Sequence, residues 1–101
     1  MIQIIKGKKY DTELAETLGH EWNGLPINDF RYQEEVLYRT KKGQFFIAGE
    51  GGAMSQYSRP VGNMTGGGNE IRLLTENEAR EWLEKYGSIE EYEKVFTPEE
   101  G

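Results

Sequence analysis

The sequence predicts an α+β domain, in which one small antiparallel sheet of about four strands carries helices on one face. Two observations lead there. The first is YQEEVLYRTKKGQFFIAGE, residues 32–50, which reads as a β-hairpin. Tyr32, Val36 and Tyr38 share one face at a period of two, with Glu34 the polar exception. Gln33, Glu35 and Arg39 point the other way, with Leu37 the exception there. Lys41-Lys42-Gly43 suits a three-residue turn, because glycine tolerates the left-handed position on which such turns end. That turn pairs Thr40 with Gln44, Tyr38 with Phe46 and Val36 with Ala48, and residues 44–48 form an apolar run expected to be buried on both faces. The second observation is a pair of capping boxes, Thr75 with Glu78 and Ser88 with Glu91, each opening a segment with apolar residues at helical spacing.

Taken in order, residues 1–6 make a short strand with Ile2 and Ile4 on one face, and Gly7-Lys8-Lys9 turns the chain. Asp11 or Thr12 is placed to cap a helix, and Leu14, Leu18 and Trp22 recur every four residues as its apolar stripe, weakened by Gly19. Asn23-Gly24-Leu25-Pro26 closes that helix, and the hairpin follows. Residues 49–69 form a glycine-rich connection, with 54–57 ordered against the sheet and Gly66-Gly67-Gly68 as a flexible tip. Ile71 and Leu73 face together on a further strand. Thr75 then caps a helix with Ala79, Trp82, Leu83 and Tyr86 inward, closed at Gly87. Ser88 caps a second with Ile89, Tyr92, Val95 and Phe96 inward. The expected order is β-α-β-β-β-α-α, in a single domain over 1–101 with a frayed tail at 97–101.

The formal net charge of −6 is unevenly placed. Residues 1–75 balance nine acids with nine bases, whereas 76–101 hold nine acids against three bases, so the whole excess lies in the last quarter. Such asymmetry suggests a directional field and a basic partner; the simpler reading is a solvated helical surface. Arg80, Lys85 and Lys94 follow Glu76, Glu81 and Glu90 by four residues, the spacing of helix-stabilising ion pairs. With no cysteine there is neither disulfide nor thiolate metal site, and the chain suits a reducing cytosol. No apolar run approaches the roughly 20 residues of a membrane helix, and the N-terminus lacks the order of a signal peptide.

Catalytic signatures are absent. His20 is the only histidine, too few for a zinc site without cysteine, and no serine sits in a nucleophile-elbow pattern. The glycines match neither a Walker loop nor a dinucleotide fingerprint. Neither an enzyme nor a bound metal or cofactor is expected. Tyr57, Arg59 and Asn63 in the glycine-rich connection are available to a partner. Lys6, Lys8 and Lys9 form one basic cluster and Arg39, Lys41 and Lys42 another; the favoured reading is edge and turn lysines that prevent sheet aggregation.

Three segments, IIKGKKYDTELAE, LYRTKKGQFFIAGEGGAMSQYS and IRLLTENEAREWLE, together resemble a family of small proteins carried by phages and integrative elements of Gram-positive bacteria. The chain is similar to members that are anti-CRISPR inhibitors of type II-A systems. The resemblance implies a stoichiometric inhibitor in the bacterial cytoplasm that binds the host's CRISPR effector nuclease, free or bound to guide RNA, and blocks guide loading or nucleic-acid binding. It supplies no catalytic residues. The expected partner-binding residues are Glu76, Glu81, Glu84, Glu90 and Glu91, with Tyr57 and Arg59 as a non-ionic anchor. Direct nucleic-acid binding is not expected. The alternatives are a nucleic-acid-binding accessory protein of a mobile element that uses the lysine clusters, and a ligand-sequestering protein or enzyme built on the glycine-rich connection.

Overall fold

Eight strands precede two helices in the computed structural model, which describes all residues 1–101. The strands are β1 Ile2–Ile5, β2 Lys8–Asp11, β3 Glu16–Trp22, β4 Gln33–Arg39, β5 Phe45–Gly51, β6 Arg59–Val61, β7 Met64–Gly66 and β8 Gly68–Leu74. The helices are α1 Glu76–Tyr86 and α2 Ile89–Glu93. The main sheet is antiparallel throughout, in the order β3-β4-β5-β8; β1-β2 and β6-β7 are separate two-stranded ribbons. The α+β class, the four-stranded sheet and the helices after the strands are as the sequence predicts.

The β4-β5 hairpin has the expected register, with Tyr38 opposite Phe46 and Val36 opposite Ala48. Thr40 donates its amide to the Gln44 carbonyl at 2.9 Å, and Gly43 closes the turn at φ 92°. Phe45, Phe46 and Ile47 are all buried, so β5 has two covered faces. One face carries Leu18, Leu37, Phe45, Ile47 and Leu74 against Ala79, Trp82 and Leu83 of α1 and against Phe96. The other carries Phe46 and Ile71 against Tyr10 of β2. Leu37 is fully buried on the helix side and Tyr38 half-buried on the ribbon side. The apparent exceptions to alternation in β4 thus record a strand packed on both faces.

The expected helix ending at Trp22 does not form; β3 occupies its place at the sheet edge. Asp11 uses its capping oxygen in a local turn, accepting the Glu13 amide at 2.9 Å, while the Leu14 amide bonds the Asp11 carbonyl. Of the proposed stripe only Leu18 is buried, and Leu14 and Trp22 are exposed. Two neighbours favour the strand. β4 needs a partner for its free edge, and Gly19 lies directly beneath Trp82, where an added Cβ would come within 2.8 Å of the indole ring. A register shift between Thr17 and Gly19 lets Leu18 and Gly19 both be buried.

The N-terminal turn also moves. Ile5 pairs with Lys8 across a two-residue turn in which Lys6 and Gly7 have φ of 51° and 80°. Lys8 and Lys9 therefore belong to β2, and the ribbon covers the sheet face opposite the helices instead of extending the main sheet. Gln3 fastens it by accepting the Ile71 amide of edge strand β8 at 2.9 Å.

The glycine-rich connection is ordered differently from expectation. Its first glycines complete β5, β6 and β7 form a ribbon turning at Gly62 (φ 63°), and Gly66 and Gly68 lie in strands. Residues 55–57 do lie on the sheet. A Cβ on Gly49 would sit 2.0 Å from Tyr57 Cζ, and one on Gly51 2.1 Å from Ser55 Oγ. These glycines allow the chain to cross the sheet at close range.

Both capping boxes form. Thr75 Oγ1 accepts the Glu78 amide at 3.1 Å and Glu78 accepts the Thr75 amide at 2.9 Å; Ser88 and Glu91 repeat the arrangement with the same two distances. Gly87 ends α1 in extended backbone (φ −81°) instead of a left-handed turn; its role is clearance, since a Cβ would approach the Leu83 carbonyl within 2.8 Å. Ile89, expected inward, is exposed, because α2 is anchored by Phe96 and by half-buried Tyr92 and Val95.

Candidate functional site

Three polar groupings stand out: the outer surface of the helices and one cluster on each sheet face. On the helices, Ala79, Trp82 and Leu83 turn inward, which leaves Glu76, Glu81 and Glu84 exposed along α1. Glu90 is exposed on α2 and Glu91 is half-buried. The expected ion pairs from Glu76 to Arg80, Glu81 to Lys85 and Glu90 to Lys94 do not close; the ion pairs of the molecule involve other residues. Aromatic rings take two of those cations instead. Arg80 stacks over Phe96 at 4.7 Å, and Lys85 lies 5.1 Å from the Tyr86 ring centre. The carboxylates of the C-terminal quarter are thus left without cationic partners. Two have structural duties. Glu78 is held below the usual carboxylate range by the Thr75 amide, and Glu91 caps α2.

The helix-side cluster centres on Glu35, whose residue is only 4% exposed. Register places it opposite Gly49 on β5, and Tyr57 crosses above that glycine. The Tyr57 hydroxyl donates to Glu35, as do Gln56 Nε2 at 3.1 Å and Trp82 Nε1 at 3.2 Å. The Arg72 guanidinium lies 3.8 Å away. Burying a carboxyl group is costly unless donors satisfy it, and here three converge from the connection and from α1. Burial first, then the bond to Glu35, pushes the Tyr57 phenol well above its usual range. The cluster is a staple between sheet, connection and helix. Tyr57 is therefore not an exposed anchor for a partner; it is 3% exposed and committed to Glu35. Arg59 is exposed on β6 and donates to the Asn69 carbonyl.

The cluster on the other face joins His20, Glu34, Tyr32 and Glu50. The Tyr32 hydroxyl lies 2.6 Å from a carboxyl oxygen of Glu34 and 2.6 Å from one of Glu50, and His20 Nε2 contacts the second oxygen of Glu34. Burial and the two glutamates push the Tyr32 phenol up. The Tyr32 hydroxyl, then His20, hold Glu34 below the usual carboxylate range. His20 has Glu34 as its hydrogen-bond partner and no hydroxyl nucleophile, so the arrangement cross-links β3, β4 and β5 without forming a triad. Sequence reading missed both clusters. The hairpin register that pairs Val36 with Ala48 also pairs Glu34 with Glu50, so that contact was within reach. The Glu35 staple joins residues up to 47 positions apart and left no local signal.

No protein-family model, curated protein or solved structure matches this chain. No helix is long and apolar enough to cross a membrane.

Proposed function

We propose that this chain is a stoichiometric inhibitor of a type II RNA-guided nuclease, binding the effector through the acidic outer surface of α1 and α2. The observation that carries the reading is the set of exposed, unpaired carboxylates Glu76, Glu81, Glu84 and Glu90. Such an effector holds guide and target in a positively charged channel, and its phosphate-binding arginines and lysines are the natural complement of this surface. Single exposed ion pairs contribute about 0–1 kcal/mol, so the glutamates act as a group and also speed association. Arg59, on the β6-β7 ribbon, is the remaining candidate contact, and Glu91 contributes by holding α2 in place. The fold and the resemblance of three segments to anti-CRISPR proteins are compatible with this role, in which the protein performs no catalysis.

The test reverses Glu81, Glu84 and Glu90 to Lys together, leaving both capping boxes intact. The expected result is weaker, less salt-sensitive binding to purified effector and loss of inhibition, with melting unchanged. Full inhibition by the folded triple variant would sink the proposal.

A further inference from the structure

The two lysine clusters, more than thirty positions apart in the chain, meet in space. Lys8 and Lys9 from β2 and Lys41 and Lys42 from the β4-β5 turn line one cleft of about 620 Å³. The packing beneath fixes their approach. Tyr10, between Lys9 and Asp11, sets its ring edge-on to Phe46 at 5.7 Å, and Phe46 stacks on Tyr38 at 5.2 Å. The ribbon is thereby docked beside the hairpin whose turn carries the other two lysines. Arg39, grouped with them in the sequence, is not part of the cleft and pairs with Glu16 at 2.8 Å.

The charge of the cleft is unusual for this molecule. In a chain with eighteen acids and twelve bases, the cleft gathers four lysines against a single acid, and these four, like every lysine of the molecule, have no carboxylate within ion-pairing distance. The cleft's one acid, Asp11, is occupied by the Glu13 amide. Lysines that only protect a sheet edge have no need to converge on a common hollow. We infer that this cleft binds a phosphate-rich anion, held by ammonium groups from both lysine pairs.

The chemistry narrows the ligand further. Lysine is a flexible point charge that suits phosphate oxygens without demanding a planar partner. The volume falls in the range of small-ligand sites, about 300–1,000 Å³. The one lining aromatic, Tyr10, is buried against Phe46, so no free ring is available to stack a base. Recognition is of phosphates and indifferent to the base. Two sources present that chemistry: a free nucleotide or inorganic polyphosphate, and the backbone of a single-stranded nucleic acid.

The experiment titrates the full chain at low salt with inorganic tripolyphosphate, with ATP and UTP, and with a short single-stranded RNA. No nuclease is present, so the result is independent of the inhibitor proposal. ATP and UTP should bind alike and compete with tripolyphosphate. Tighter binding of RNA, with log affinity falling against log salt by about 0.7 for each phosphate engaged, assigns the site to nucleic acid; otherwise the small polyphosphate is the ligand. Lys9→Glu with Lys42→Glu should weaken binding by on the order of tenfold or more, through loss of charge-assisted hydrogen bonds. Lys85→Glu with Arg31→Glu makes the same change in net charge at residues that do not line the cleft, Arg31 lying beyond the end of the hairpin opposite its turn, and should leave binding intact. If the first pair fails to fold, Lys9→Gln with Lys42→Gln replaces it. Absence of binding by every probe, or equal weakening by both pairs, would overturn the inference.

Discussion

Glu35 shows how much of this molecule depends on single polar residues. Its carboxyl group is buried between sheet, connection and helix, and the Tyr57 hydroxyl is one of its three side-chain donors. Tyr57→Phe keeps the ring over Gly49 but leaves the buried group one donor short, which should cost about 1–3 kcal/mol in chemical denaturation. A loss within error would show that Gln56 and Trp82 suffice. The sequence showed Glu35 only as a polar position in an alternating strand. Its burial follows from what crosses above it, and no neighbour in the chain specifies that.

At the scale of elements, local signals succeeded where the interacting atoms are close in sequence. The boxes at Thr75 and Ser88 close over three residues, and both formed. Thr75→Ala removes the acceptor for the Glu78 amide and should destabilise by roughly 1 kcal/mol, read as a lower melting temperature. An unchanged melting temperature would mean that burial of Trp82 and Leu83 alone holds α1. The same capping logic misled at Asp11, where the oxygen closes a turn instead. The four-residue spacing of Leu14, Leu18 and Trp22 was equally misleading, since two of the three are exposed in or beside an edge strand. A weak helical stripe containing Gly19 yields when a neighbouring strand offers a ladder of backbone hydrogen bonds.

For the whole molecule, the perturbed groups define how stability should depend on pH. Glu34 and Glu78 have folded values below the ordinary 4.5, so their contribution is present above that value and is lost as pH falls through the depressed folded values. Tyr32 and Tyr57 are raised above the ordinary 10.0, so theirs is whole below that value and declines as pH climbs beyond it. Thermal melting should therefore show a plateau with an acidic and an alkaline limb. Glu34→Gln should flatten the acidic limb and, because Glu34 is one of the two carboxylates that raise Tyr32, also weaken the alkaline limb, which Tyr57 then carries. An acidic limb of unchanged steepness would assign it to other carboxylates.

The sequence by itself determined the β4-β5 hairpin with its register, the strand that carries Ile71 and Leu73, and the two capped helices. Each is specified by contacts within a few residues or by a strict period of two. Only the tertiary structure decided that the N-terminal ribbon covers the second sheet face, that residues 16–22 extend the sheet as β3, and that the glycine-rich connection is pinned through Tyr57 to Glu35. It also left the glutamates of the helices without ion pairs, because Arg80 and Lys85 turn to aromatic rings, and brought four lysines to one cleft, because the ribbon docks beside the turn. The physical reason is common to all of these. Burial and pairing are settled by which distant surface arrives, and the free energy of covering a sheet face can override the modest preferences that a short stretch of chain expresses alone.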